Sequence, residues 1–102
     1  MTQETKRIGY NKLSRIAEIF SGLAHPIRLE ILELLEDGNS MSVGEILKEI
    51  KIEPTLLTHH LSKMKYLGIL ESSKEGRNVY YRLAILEISN IFDCIQNCRV
   101  RM

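Results

Sequence analysis

Cys94 and Cys98 are the only cysteines in a chain of 102 residues, and they stand four apart. On a helix that spacing puts both thiols on one face, where two thiolates can share a soft metal ion. A second set lies mid-chain: Thr55, Thr58, His59, Ser62, Lys63 and Tyr66 share one side of a helical period, and no Asp or Glu falls between Thr55 and Tyr66. Threonine hydroxyls and a neutral imidazole can donate or accept hydrogen bonds, so the stripe suits the mixed groups of a DNA major groove. The alternative is a solvated helix face. His60 adjoins Leu57 and Leu61 and is expected in the core, while His25, just before Pro26, is expected to cap a helix start. Neither a Cys-x-x-Cys, nor a phosphate-cradling glycine loop, nor a supported Ser/His/Asp set points to an enzyme.

The elements that must hold these groups follow from periodicity. Leu13, Ile16, Ala17 and Phe20 predict an amphipathic helix over 10–23, ended by Gly22. Pro26 at a first helical position and Gly38 beyond the last bracket a second helix, about 26–36. Ser42 to Glu45 has the S-x-x-E form of a capping box and opens a third, about 43–50. Glu53 and Pro54 start a fourth helix that runs to Tyr66 and ends at Gly68, with Leu57, Leu61 and Met64 facing inward. Two runs, 69–72 and 78–83, flank Ser73 to Arg77, and the second alternates Val79, Tyr81 and Leu83 with Asn78, Tyr80 and Arg82. They read as a β-hairpin with a basic tip. A last helix spans about 84–98. The expected fold is mainly α with a small hairpin, in the order ααααββα, the layout of a winged helix-turn-helix.

Length allows one domain over 1–102, with 1–9 as a tail. The chain is 44% hydrophobic and 26% charged, which is ordinary for a folded protein and excludes a disordered one. No run of about 18 apolar residues exists to span a membrane, and the N-terminus lacks the apolar stretch of a secretory signal. A cytoplasmic location, with both cysteines reduced, is expected. Net charge is only +1. That total hides a polarised chain: residues 1–22 carry +2, 23–53 carry −4, 54–82 carry +3 and 83–102 carry 0. The positive share falls on the fourth helix and the hairpin.

Taken together, Leu23-Ala24-His25-Pro26-Ile27-Arg28-Leu29-Glu30-Ile31-Leu32, Val43-Gly44-Glu45-Ile46, Thr58-His59-His60-Leu61-Ser62-Lys63-Met64, Gly68-Ile69-Leu70, Gly76-Arg77 and Tyr80-Tyr81-Arg82-Leu83 resemble the ArsR/SmtB family of metalloregulatory and related repressors, over about residues 10–98. The resemblance implies a homodimer joined through its first and last helices. It implies binding to double-stranded operator DNA that represses transcription until an effector weakens it. Thr55, Thr58 and His59 stand where that family's recognition helix meets base edges, with Ser62 on the same face and Lys63 near its backbone-contacting end. Lys74, Arg77 and Arg28 suit phosphates, which fix register without reading sequence.

Ile85, Ile88, Ile91, Phe92 and Ile95 give the last helix more apolar surface than one neighbour covers. That favours a dimer seam, with Leu13, Ile16 and Phe20 as companions. Symmetry then sets two recognition helices roughly 34 Å apart, one turn of DNA. Four thiolates from Cys94 and Cys98 of two protomers could converge on a thiophilic ion; two half-buried side chains with no ligand are the equal alternative. The chain departs from the family's known sensor types: its third helix has no Cys-x-Cys, its last has Asp93 but no His, and its second has no Cys. A disulfide between Cys94 and Cys98 on one intact helix would strain the usual Cα separation. Two other readings stand beside operator release by a metal or thiol-reactive effector. One is a regulator of this type without a metal effector, and the other is a winged-helix module that binds an acidic protein partner.

Overall fold

A computed structural model describes residues 7–100. Of the tail expected over 1–9, only residues 7–9 lie within that range. The first helix, α1, spans Tyr10–Leu23. It runs through Gly22, which is buried and does not end it. A Cβ at Gly22 would run into Leu67 Cδ1 and crowd Ile69 Cδ1, so the bare backbone is what lets α1 lie against the chain leaving the fourth helix.

Helix α2 covers Pro26–Leu34, with the His25 imidazole as its cap: Nδ1 accepts from the Ile27 N–H at 3.1 Å. A two-residue strand, β1 (Met41–Ser42), comes next and was not expected. Ser42 also begins α3 (Val43–Glu49), where the capping box closes in both directions. The Glu45 N–H donates to Ser42 Oγ at 3.2 Å, and the Ser42 N–H donates to Glu45 Oε1 at 2.9 Å. Helix α4 is Pro54–Tyr66 and begins on Glu53, whose carboxylate accepts from the Leu56 N–H at 3.0 Å. Backbone hydrogen bonds from Thr55 and Leu56 hold that carboxyl below the usual carboxylate range.

The far end of α4 is closed as firmly. The Ile69 N–H reaches the Met64 carbonyl and the Gly68 N–H reaches the Lys65 carbonyl, both at 2.9 Å, while Gly68 adopts φ +81°. This is a Schellman ending, in which glycine takes the left-handed conformation without the Cβ clash. From α1, Arg15 Nη2 donates to the Leu67 carbonyl at 2.8 Å and occupies one more unpaired acceptor of the helix end.

Strands β2 (Leu70–Glu75) and β3 (Asn78–Leu83) form the hairpin, paired from Leu70 with Leu83 to Glu75 with Asn78. The turn is therefore tighter than expected, only Gly76 and Arg77, and Gly76 at φ +63° supplies the positive angle that a primed two-residue turn needs. Lys74 sits within β2 opposite Val79 rather than in the loop. β1 joins the other side of β3, giving an antiparallel sheet in the order β1-β3-β2.

The last helix differs most from expectation. A 3₁₀ turn at Leu86–Ser89 precedes a short α5, Asn90–Gln96. Ser89 Oγ donates to the Leu86 carbonyl at 2.8 Å, a local bond that competes with helix continuation, and neither segment has a side-chain cap. Within one protomer the apolar face is only half covered: Ile88, Ile91 and Phe92 are half-buried and Ile95 is exposed. Short helices depend on such cover for most of their stability. The core beneath is contiguous, with Ile31, Leu32, Leu35, Ile46, Leu57, Leu61 and Met64 removed from solvent.

Candidate nucleic-acid interface

Helix α4 divides cleanly. Leu57, Leu61 and Met64 are buried, whereas Thr55, Thr58, His59, Ser62 and Lys63 are exposed. The stripe therefore keeps its hydroxyls, imidazole and ammonium free on a helix held at both ends. Lys65 and Tyr66 extend it, Tyr66 being 84% exposed. Lys65 escaped the sequence reading because it falls between the two faces. Its signal is the basic last turn it forms with Lys63, where positive charge suits the helix dipole.

The hairpin packs beside α4 through β2. Tyr81 and Leu83 point inward from β3 and are buried, leaving Asn78, Tyr80 and Arg82 on the outer face. Arg82 is taken up locally: Nε donates to Glu71 Oε1 at 2.8 Å across the strand pair. Lys63, Lys74 and Arg77 form no ion pair among the described residues and are exposed, so their charge is available to a phosphate.

Arg28 is placed differently from the other cations. It is half-buried, and its Nε donates to His60 Nδ1 at 3.0 Å while Nη1 donates to the Gly22 carbonyl at 3.0 Å. Two nitrogens of the guanidinium are thus committed inside the protein. His60, only 4% exposed, lies on the core side of α4 as expected and packs its ring against His25, with centroids 4.5 Å apart.

Cys94 and Cys98 are both free and exposed. They do not share a continuous helical face, because α5 stops at Gln96 and Cys98 lies in the chain beyond it, its N–H bonded to the Ile95 carbonyl. With Ile95 and Val100 they line a shallow apolar hollow. No group of three or more His, Cys, Asp or Glu side chains among the described residues is arranged to hold a metal ion. On α1, exposed Leu13 and Phe20 flank half-buried Ile16. Ile16 and Phe20 share a second apolar hollow with Ile85 and Ile88, which brings the first and last segments of the expected seam together.

This arrangement has known counterparts. The sequence profile described as "Bacterial regulatory protein, arsR family" matches residues 25–72, from the α2 cap through α3 and α4 into β2. The HTH-type transcriptional regulator MJ1325 of Methanocaldococcus jannaschii is 42% identical over 71 residues, 69% of this chain and 80% of that one. The chain belongs to the ArsR family. The crystal structure of the transcriptional repressor PagR of Bacillus anthracis is 26% identical with a TM-score of 0.76, over 85% of this chain and 99% of that one. The homodimeric winged helix-turn-helix DNA-binding domain of Mb0332 from Mycobacterium bovis is 26% identical with a TM-score of 0.73, over 93% and 87%. The winged helix-turn-helix is thus the fold of this ArsR-family chain, α3 and α4 forming the helix-turn-helix and β2 and β3 the wing. The family is one of transcriptional regulators and not of enzymes. No helix among the described residues is long and apolar enough to cross a membrane.

Proposed function

We propose that the chain represses transcription by gripping operator DNA as a homodimer, with α4 in the major groove and the wing on the backbone. The observation that carries this reading is the acid-free, exposed face of α4, which is rigidly capped at both ends and flanked by unpaired wing cations. Thr55, Thr58, His59 and Ser62 meet base edges; Lys63, Lys74 and Arg77 meet phosphates. Leu13, Ile16, Phe20, Ile88, Ile91, Phe92 and Ile95 form the seam.

Binding to duplexes enriched from a random-sequence pool tests it. Thr58→Ala or His59→Ala is expected to lower discrimination by about 1–3 kcal/mol at the base read, flattening sequence preference. Lys63→Gln or Arg77→Gln is expected to weaken all duplexes alike and to shallow the slope of log K against log salt by about 0.9 for each phosphate no longer neutralised. Affinity fixed at the non-specific level of roughly 10⁻⁴ to 10⁻⁶ M for every sequence would overturn the reading in favour of a protein-binding module.

Effector release rests on Cys94 and Cys98. Each protomer offers two thiols, so a four-thiolate site for a thiophilic ion needs the pairs of both protomers. Zinc or cadmium is expected to protect these thiols from alkylation and to weaken duplex binding in the unmodified dimer, but not in Cys94→Ser or Cys98→Ser. An equal response in all three would remove the cysteines from the mechanism and leave a regulator without a metal effector at this position.

A further inference from the structure

The Arg28–His60 contact joins three helices at one point. Arg28 stands in the first turn of α2, His60 in the middle of α4, and the Gly22 carbonyl near the end of α1; one guanidinium bonds to the last two. Because Nδ1 accepts the Arg28 N–H, it cannot carry a proton, so the imidazole is neutral with its hydrogen on Nε2. Among the described residues that Nε2 is buried without a hydrogen-bond partner. A buried polar atom left unpaired costs stability, so packing alone does not account for a histidine here. The pairing on the opposite side of the ring does, since it gives Arg28 an acceptor that neither leucine nor a protonated imidazole would provide.

We propose that Arg28 is a positioning residue for DNA reading: through His60 it sets how α4 is seated on α1 and α2, and it does so without touching DNA. The inference rests on α4 being the DNA-contacting helix. Thr58, His59 and Ser62 lie within two residues of His60, so a change in the seating of the ring displaces the groups that meet base edges. A proton can enter the ring only at Nδ1, and there it would face the Arg28 guanidinium. The other titratable groups that act on the ring are His25 from the α2 cap and His59 from α4 itself, both opposing a proton there. Burial above all, then His25, Arg28 and His59, pushes the His60 imidazole below the usual histidine range. The folded chain therefore resists a proton that the unfolded chain accepts. The contribution is complete above the ordinary histidine pKa of about 6.5 and is lost as pH falls below it.

Nitrogen-15 NMR of the unmodified protein reads the ring directly. It is expected to show the neutral Nε2–H form at pH 7; an Nδ1–H or protonated ring overturns the proposal with no substitution made. Duplex binding then tests the role. Arg28→Gln and His60→Leu are each expected to lose about tenfold in affinity for the preferred duplex, the size of one missing hydrogen bond to a charged group. The double variant is expected to lose no more than the worse single, with the salt slope unchanged throughout. His60→Asn places an amide oxygen near the Nδ1 position; it is expected to restore binding and to remove the weakening expected of the unmodified protein as pH falls through the lowered His60 value. Additive losses, or a salt slope shallower by about 0.9 per phosphate in Arg28→Gln, would show that Arg28 meets phosphate itself and overturn the proposal. If the unmodified dimer prefers no duplex, the DNA reading falls and takes this role with it. If it prefers one and the losses add, only this inference falls.

Discussion

Phe20→Glu combined with Ile95→Glu is expected to give a folded monomer whose affinity for the preferred duplex is lower by about 10² or more, the loss that follows when two linked binding events become independent. Phe20 is 56% exposed and Ile95 47% within one protomer, so neither change empties the protomer's own core, and the stability lost is the concentration-dependent share that the dimer supplies. Large apolar side chains left in water at this density on α1 and α5 mark a surface that something covers. In a two-fold seam each substitution occurs twice, and every new carboxylate must be desolvated or held apart from its copy. Sedimentation velocity together with a duplex titration reads both consequences. A variant that remains dimeric and binds as before would move the seam elsewhere.

The second large effect lies on the hidden side of the same recognition helix. Leu61→Ala is expected to cost about 2–5 kcal/mol, because Leu61 has no exposed surface and the cavity left behind sits among residues drawn from several elements. Total stability for a domain of this kind is about 5–15 kcal/mol, so the variant keeps its fold only narrowly. Its neighbour gives the control: Ser62→Ala, on the exposed face, is expected to change stability by less than about 0.5 kcal/mol. Urea unfolding must be compared at one protein concentration, since a dimer's apparent stability rises with concentration. Equal losses at the two positions would mean that the two faces of α4 had been assigned wrongly.

Helix starts were legible in the sequence because their chemistry is local. His25 with Pro26, Ser42 with Glu45, and Glu53 with Pro54 each act across three residues or fewer, and each works as read. The phase of α4 was legible too, since Leu57, Leu61 and Met64 define an inner face and leave the stripe outside. Two elements were not. A two-residue strand has no period to detect, and β1 exists only because β3 offers it a partner. The break between the 3₁₀ turn and α5 escaped because periodicity reports that one face is apolar, not whether anything covers it. Arg28 shows the limit most clearly. Its place at a helix start says nothing of its partner His60, which is 32 positions away, and no local pattern encodes that distance.

Ser42 ends β1 and caps α3, so no spare residue separates the sheet from the helix. β1 pairs with β3, the strand that also forms half of the wing. The joint has no slack. A displacement of the wing is passed through two paired residues to the start of α3. The wing is in that sense a lever arm on α3, and a single added residue between Ser42 and Val43 is expected to uncouple the two.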